Sequence, residues 1–359
     1  MTASFTSKQR LTAAFDLQTP DRPPILGGWL SAPEYIRILT GCSEEEYWQD
    51  PARWSMEADR ALGSDGIVNL FTPASREEYR IIDSHTVDAR ADYTMERILA
   101  DLEALPDPEE VRENFDFEQA YVQFKEQHLA MQERCGEMLW CPADWGMIPI
   151  ALRYHEFGYE NALTLPLLYP DLHLKMMRVK AEEGRHTAML RARAIKEGIH
   201  PKAILTGEDL CSQEGPMISP RFLRKDYFPL LEYAMEPLLE AGTNLVWHCD
   251  GNVRPILADV LACGFAGLQG FQRECSMELE WIVDLKTRQG DPLLIFGDMS
   301  VTTTLPYGTP AEVRAAVARS MEICRGKASL VFFTSNTILP DTPLENIRTF
   351  WDAVRNSRW

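Results

Sequence analysis

Eight short runs of β-prone apolar residues, separated by stretches of helical character, constrain the fold of this chain more than any other feature of its sequence. Alternation of such runs with helices is typical of βα units, which form parallel sheets. Eight parallel strands are the number that a closed barrel requires. The sequence therefore predicts a (β/α)8 TIM barrel. The eight predicted strands are Pro24–Trp29, Gly66–Phe71, Glu137–Asp144, Ala203–Cys211, Asn244–Gly251, Gly264–Gly270, Leu293–Ser300 and Ser329–Asn336.

The length of the chain, 359 residues, suits one such barrel with insertions, so we expect a single domain over residues 1–359. Two long connections break the regular spacing, and they predict insertions after strands 2 and 3. Residues from about Glu77 to Arg97 alternate as a hairpin would. The second connection, from Trp145 to Pro201, is expected to be helical and to include a helix over Asp171–Lys196.

Three later helices carry start signals in which Ser or Thr precedes Pro. Ser219 and Pro220 predict the start of a helix that Gly242 ends. Thr309 is followed by Glu312, and Thr342 by Glu345, and this spacing is typical of a capping box.

The charge balance excludes several classes of partner. There are 54 acidic and 36 basic side chains, a net charge of -18, which repels phosphate backbones and anionic lipid surfaces. We therefore expect neither nucleic acid nor a membrane as a partner. The eight cysteines form no CxxC pair, and no signal segment or long apolar run opens the sequence, which favours free thiols and a cytoplasmic location.

Candidate functional residues follow the predicted strands, because the loops at the carboxyl ends of barrel strands build the active site. The strand ends are rich in histidine, carboxylates and amides. They include Glu208 and Asp209 at the end of the fourth strand, His248 and Asp250 at the end of the fifth, Gln269 at the end of the sixth, Asp298 at the end of the seventh, and Asn336 at the end of the eighth.

His248 and Asp250 are the strongest pair, because residues two apart on a strand share a face. Both are then expected to point into the barrel mouth, and Cys249 toward the helices. An imidazole beside a carboxylate suits either a divalent metal or a histidine base held by an acid. The alternative is a purely structural role, in which His248 is a hydrogen-bonded histidine at the end of a core strand.

The other candidates also have structural alternatives. Glu208 and Asp209 are adjacent and must diverge, so at most one is expected to enter the site directly, while the other caps a helix or bonds loop amides. For Asp298, a role in capping a loop fits the sequence as well as a contact with the substrate does. Trp29 and Trp145 are expected to wall a ligand pocket or to pack in the core.

Several spaced motifs resemble the uroporphyrinogen decarboxylase and cobalamin-type methyltransferase superfamily. The likeness begins in the segments that precede the first strand and runs through most of the chain, in the family's order. The motifs are residues 11–15 and 20–24, residues 208–220 with Gln213, residues 248–252, residues 296–298 and residues 340–347. The resemblance implies a barrel with His248 in its active site, and it makes Gln213 a substrate-binding candidate with Trp29, Trp145, Gln269, Asp298 and Asn336.

This superfamily has a cofactor-free decarboxylase branch and a zinc-dependent branch that moves methyl groups between thiols or methoxylated compounds and a corrinoid protein. The arginine-rich segment of the decarboxylases is replaced here by residues 28–34, which contain no arginine. The zinc branch uses a His-x-Cys pair and a later Cys, and the corresponding positions here are His248, Asp250 and Asn336. An acidic family position near the sixth strand corresponds to Gln272. Harder oxygen donors thus replace thiolates, so the metal is expected to bind more weakly than at a zinc-dithiolate site.

The leading functional hypothesis is a methyltransferase or demethylase that acts on a small methylated or methoxylated substrate. Its catalytic residues would be His248, Asp250, Glu208 and Asp209, with His248 and Asp250 as metal ligands. A corrinoid would be carried only by a separate partner protein. The sequence does not decide whether the protein forms a homodimer. The alternatives are a decarboxylase of a small or tetrapyrrole carboxylic acid and a non-catalytic binding member of the family.

Overall fold

The computed structural model describes residues 5–73, 75–83 and 93–359. Within these residues, short parallel strands occur inside all eight predicted runs, and each strand is shorter than its run. The strands are β1 (Leu26–Gly27), β2 (Gly66–Ile67), β3 (Leu139–Trp140), β4 (Ala203–Gly207), β5 (Asn244–His248), β6 (Gly267–Gln269), β7 (Leu294–Phe296) and β8 (Ser329–Val331).

Helices connect and surround these strands. In the first half of the chain they are α1 (Ser7–Phe15), α2 (Pro33–Thr40), α3 (Glu44–Gln49), α4 (Pro51–Leu62), α5 (Arg76–Asp83), α6 (Met95–Glu103), α7 (Pro108–Glu113), α8 (Phe117–Cys135), α9 (Tyr154–Leu168) and α10 (Pro170–Lys196). In the second half they are α11 (Pro220–Phe222), which continues through a π-turn over Leu223–Tyr227 into α12 (Phe228–Glu240), then α13 (Arg254–Ala262), a 3₁₀ turn over Arg273–Cys275, α14 (Leu279–Ile282), α15 (Thr304–Tyr307), α16 (Pro310–Cys324) and α17 (Leu344–Arg355).

The strands form two parallel sheets, with the orders β1-β2-β3 and β4-β5-β6-β7-β8. Backbone hydrogen bonds also join the ends of the two sheets. The Leu26 amide donates to the Phe332 carbonyl at 2.9 Å, and the Asp144 amide donates to the Leu205 carbonyl at 2.9 Å. The chain is therefore an α/β protein with parallel sheets, which agrees with a TIM barrel of the predicted kind.

The two faces of the sheets are buried in different ways. Val246 packs with Leu205, Leu294 and Phe333 in one apolar cluster. Leu245 and Trp247, its neighbours on β5, pack in a larger cluster with the surrounding helices. This period-two alternation is what a strand covered on both faces requires. It fixes which residues of β5 can reach the site.

The long connections after β2 and β3 are mainly helical. The predicted helix over Asp171–Lys196 is confirmed as α10. The hairpin predicted from about Glu77 to Arg97 is wrong at both ends, because residues 77–83 belong to α5 and residues 95–97 to α6. The rest of that predicted hairpin, up to residue 92, lies outside the described residues.

Of the three predicted helix starts, one is confirmed in full and one in part. Thr309 and Glu312 form the predicted capping box at the start of α16. Ser219 precedes α11 without a side-chain cap bond. The capping box predicted for Thr342 is wrong, because α17 begins at Leu344 with Pro343 at its N-cap, so the spacing to Glu345 is too short.

Candidate functional site

A cavity of about 570 Å³ opens at the carboxyl ends of the strands. This is the end at which parallel α/β barrels place their active sites. Its floor contains polar residues that follow β4, β5 and β8, while its walls come from the β1 end and from the segment between β3 and α9. The lining residues are Trp29, Phe71, Trp145, Ile148, Ile150, Leu152, Arg153, Tyr154, His155, Glu156, Gly207, Glu208, Asp209, His248, Asn336 and Thr337.

His248 is the last residue of β5 and points into this cavity. Only 8% of its surface is exposed. Cys249 is 2% exposed and packs in the cluster on the helical side of the sheet. The orientations of these two residues agree with the alternation along the strand.

Gln269, at the end of the neighbouring strand β6, fixes the orientation of the His248 ring. Its side-chain nitrogen donates to the carbonyls of Thr334 at 2.9 Å and Ser335 at 3.1 Å. The amide oxygen therefore faces His248 Nδ1, which must donate the proton of this hydrogen bond. In the neutral imidazole, Nε2 then carries a free lone pair that points toward the site. Gln269 was predicted to bind substrate, but it is 2% exposed and does not line the cavity, so its contacts position His248 instead.

Two carboxylates converge on the free nitrogen of His248. Asp209 Oδ1 lies 3.4 Å from His248 Nε2 and accepts the Asp250 backbone amide at 2.8 Å. Its other oxygen accepts the Tyr154 hydroxyl at 3.2 Å. One ligand atom from each of Asp209, His248 and Asp250 lies within 4.8 Å of the others. We call these three residues the acidic centre.

Asp250 lies behind the cavity surface and is held from one side only. Its Oδ2 accepts the Asn336 side-chain amide at 2.6 Å, while its buried Oδ1 has no hydrogen-bond partner. Burial raises the pKa of Asp250 to about 6, with a further contribution from the Asp209 charge and opposing contributions from His248 and Asn336. A buried carboxylate oxygen without a donor is costly unless a ligand or cation satisfies it.

Glu208 has a different role from its neighbour. Its two oxygens accept the backbone amides of Ala151, at 3.0 Å, and Leu152, so the carboxylate clamps the segment that forms the cavity wall. His173 bonds the Ala151 carbonyl at 2.8 Å on the other side of that segment. Burial raises the pKa of Glu208 to about 7, while the two amides lower it. Both carboxylates line the cavity, but only Asp209 joins the acidic centre, while Glu208 bonds loop amides as the structural alternative expected.

We expect Glu208→Gln to weaken this clamp, because an amide side chain offers one acceptor oxygen where the carboxylate offers two. One buried backbone amide would lose its partner, which costs about 1–3 kcal/mol. Chemical denaturation should show this loss, and limited proteolysis should become faster between Trp145 and Arg153. Unchanged stability and protection would contradict the assigned clamp.

Aromatic side chains enclose the acidic centre. The ring centroid of Trp29 lies 6.1 Å from that of His248, and the Trp145 centroid lies 5.3 Å from it. Phe71 stands 5.4 Å from Trp29 by the same measure. Trp29 and Trp145 therefore line the pocket, as one of the two sequence interpretations expected.

Besides Gln269, two more predicted substrate-binding residues do not line the cavity. Gln213 is exposed in the loop after β4. Asp298 accepts the Ser320 hydroxyl of α16, and burial raises its pKa. It lines a separate cavity of about 80 Å³. Asp298 thus contacts the outer helices, as the loop-capping alternative implied.

The sequence also missed residues that line the cavity. Arg153, His155 and Glu156 come from the start of α9, and Tyr154 between them bonds Asp209. Arg153 is the one lysine or arginine among the described lining residues, and it donates to Glu156. No motif marks these residues, and only their closeness to strand β3 along the chain hinted at them.

The acidic centre fits a divalent cation in its chemistry. One imidazole nitrogen and two carboxylate oxygens, all within 4.8 Å of one another, form a borderline-to-hard donor set. The unpartnered Asp250 Oδ1 is an observation of the kind that a cation would explain. The third candidate metal ligand is therefore a carboxylate oxygen of Asp209 and not the amide oxygen of Asn336. Asn336 turns its nitrogen to Asp250 and its oxygen to the Thr337 amide at 2.6 Å, so the predicted amide-oxygen ligand is wrong for this arrangement.

The fold and this site define a class: parallel α/β proteins with a histidine-carboxylate cavity at the carboxyl ends of their strands. Residues 186–357 match the sequence model of a family described as uroporphyrinogen decarboxylase (URO-D). Residues 186–357 thus resemble this family, and the predicted resemblance to the uroporphyrinogen decarboxylase and cobalamin-type methyltransferase superfamily is confirmed.

Comparison with a solved structure shows a similar fold over nearly the whole chain. A methyltransferase from Methanosarcina mazei has a TM-score of 0.62 and 18% sequence identity, and the match covers 98% of this chain and 99% of that one. At this identity the likeness shows the fold. No curated protein matches the sequence. No helix among the described residues is long and apolar enough to span a membrane.

Proposed function

We propose that this protein is a methyltransferase-like enzyme of the URO-D superfamily, which moves a methyl group from a small methylated or methoxylated substrate to a separate corrinoid protein. The proposal takes residues 1–359 as one catalytic domain whose strands close into a barrel. The convergence of Asp209, His248 and the unpartnered Asp250 oxygen in one aromatic-walled cavity carries the proposal.

The three residues of the acidic centre would hold one divalent cation. When bound, such a cation orients an oxygen or sulfur atom of the substrate and stabilises negative charge on it. Gln269 keeps the His248 lone pair directed at the site, and Asn336 holds the carboxylate of Asp250. The aromatic and aliphatic walls exclude water from the methyl group and hold it in place.

Decarboxylation of a substrate with several carboxylates is less well supported by the cavity. Arg153 would have to grip those carboxylates, but it is already paired with Glu156. The non-catalytic alternative predicts no methyl transfer even with metal present.

The test begins with metal binding. We expect the protein to bind about one divalent ion at saturation and to lose it to a chelator more readily than a zinc-dithiolate site would. Asp209→Asn should weaken binding by more than the roughly 10–100-fold that loss of a supporting partner costs at metal sites. Isothermal titration with Zn²⁺, Mn²⁺ and Co²⁺ measures this.

Glu274→Gln is the matched control for Asp209→Asn. Glu274 is an exposed acid whose charge acts on Asp250, but it is outside the acidic centre. The control should bind metal like the unmodified protein. Methyl transfer to free reduced cobalamin, used in place of the partner protein, should follow metal occupancy across the three proteins. Metal binding that ignores Asp209, or transfer that ignores metal, would contradict the proposed centre.

A further inference from the structure

The charges of the cavity favour a cationic ligand over an anionic one. Asp209 and Glu208 face the cavity, and Asp250 lies directly behind it. Among the described lining residues Arg153 is the only lysine or arginine, and its guanidinium is occupied by Glu156 and lies 5.1 Å from the centroid of the Phe157 ring. An anionic ligand would therefore meet carboxylates without a free counter-charge.

The walls supply what an organic cation needs. Trp29, Phe71, Trp145 and Tyr154 line the same cavity, and their π-systems attract a cation placed over their faces. Trp29 is 3% exposed and Tyr154 is 8% exposed, so both are held by the surrounding core. Tyr154 is tied to Asp209 by its hydroxyl, which joins the aromatic wall directly to the acidic centre. Aromatic walls with nearby carboxylates are the recognised arrangement for quaternary ammonium groups.

A metal at the acidic centre does not remove this preference. Two carboxylates, Asp209 and Asp250, would balance the two charges of a divalent ion. The remaining Glu208 and the Arg153–Glu156 pair leave the cavity neutral or negative. A single positive charge on the ligand is therefore accepted with or without the metal.

We propose that the substrate is a quaternary methylammonium compound, whose cationic head is held by Trp29, Phe71, Trp145 and Tyr154 while an oxygen atom of the same molecule faces the acidic centre. The inference rests on the proposed function and names its substrate class. Transfer of one methyl group breaks one C–N bond, and the bonding electron pair stays on nitrogen as a neutral tertiary amine. The methyl group goes to a two-electron nucleophile, the reduced cobalt of the partner's corrinoid, so that no oxidant and no proton are consumed.

The test compares ligands of the same shape and different charge. Choline carries a trimethylammonium group and a hydroxyl group, and in its neutral isostere dimethylbutanol a tert-butyl group replaces the cationic head. We expect choline to bind about tenfold more tightly than dimethylbutanol, since the cation–π attraction is absent from the isostere. Methoxybenzoate serves as the anionic probe and should bind more weakly than choline. Calorimetry on chelator-treated and on metal-loaded protein gives the three dissociation constants.

Aromatic-to-leucine variants separate the π contribution from apolar contact. Trp145→Leu and Phe71→Leu should each reduce the preference for choline over dimethylbutanol to about threefold or less. Two variants are used because one replacement could disturb the fold, and Phe71 is the more exposed, at 38%. Tyr307→Leu is the matched control, because Tyr307 is 79% exposed and lies outside the cavity lining. It should leave the preference unchanged.

Equal or tighter binding of dimethylbutanol, a preference for methoxybenzoate, or failure of choline to bind at all would overturn the substrate class. Because these measurements use no corrinoid and no turnover, they are independent of the proposed methyl transfer. A protein that prefers choline but never methylates reduced cobalamin would contradict the proposed function alone. A protein that demethylates a neutral methoxy compound without any preference for cations would contradict this inference alone.

Discussion

Replacement of His248 by alanine is expected to reduce methyl transfer by about a thousandfold or more while the fold stays nearly intact. The variant removes the one nitrogen donor of the acidic centre, and enzymes commonly lose this much when an essential group at the reacting centre is removed. Its cost in stability should be small, less than about 2 kcal/mol, because the Gln269 oxygen left behind faces an open cavity that water can enter. Activity per folded molecule and the free energy of unfolding are the two measurements.

His128→Ala is the control, and it is expected to lower stability without lowering activity per folded molecule. His128 is 5% exposed and stacks on His200 with centroids 4.8 Å apart, away from the cavity lining. Its removal leaves a hole in packed structure, at a cost of about 2–4 kcal/mol, and should preserve activity in the molecules that fold. If His248→Ala unfolds the protein and His128→Ala does not, the structural interpretation of His248 is correct and the catalytic one is wrong.

The positions of the strands could be predicted from the sequence because each strand is a local pattern. All eight predicted runs contain a strand, but β1, β2 and β3 have only two residues each in their ladders. Apolar runs continue past these ladders into the strand ends, where residues such as Trp29 and Trp145 turn to the cavity. Strand length depends on pairing with neighbours, and the sequence of one run does not contain that information.

The centre of the site was predictable for the same reason. His248 and Asp250 are two residues apart in the predicted fifth strand, and strand geometry predicts that both point into the barrel mouth. In the structure β5 ends at His248, and Asp250, just beyond it, reaches the acidic centre from behind the cavity lining. Asp209 as their third partner was not predictable, because its contact depends on the register of β4 against β5, which pairs Gly207 with His248. The sequence gives no means to choose between the adjacent Glu208 and Asp209.

The cavity wall was the least predictable part. The segment from Trp145 to Glu156 is positioned by partners distant in the chain, such as Arg191, which bonds Asp144 at 2.8 Å, and Gly184, where a Cβ would meet the Met147 carbonyl oxygen at 2.1 Å. Such contacts arise only when α10 packs on the sheet. They explain why Arg153 and Tyr154 carried no signal in the sequence.

A buried carboxylate connects the segment that precedes β1 to the elements around it. Asp65, which is fully buried before β2, accepts hydrogen bonds from Arg10 at 2.6 Å and from Arg22 at 2.8 and 3.1 Å. It also accepts the Ile25 backbone amide at 3.0 Å. One carboxylate thus joins α1, the segment before β1 and the start of β2.

Asp65→Asn should therefore be among the most destabilising single substitutions in the chain. Asparagine keeps the shape of the side chain but removes its charge. Arg22 would then be buried without its ion-pair partner, while Arg10 would keep only its pair with Asp21. Loss of one partner from a buried ion pair costs about 3–5 kcal/mol. Urea denaturation followed by circular dichroism measures the change in the free energy of unfolding.

Asp284→Asn is the matched control, because Asp284 pairs with Lys327 at 2.9 Å while both side chains are more than half exposed, at 67% and 52%. A surface pair of this kind contributes at most about 1 kcal/mol, so the control should change stability little. Adding Arg22→Met to Asp65→Asn should restore part of the lost stability, because the second change removes the buried charge that has lost its ion-pair partner. A buried ion pair can be replaced by apolar groups at little cost. If the double variant is less stable than Asp65→Asn alone, the destabilisation comes from lost packing and hydrogen bonds rather than from buried charge.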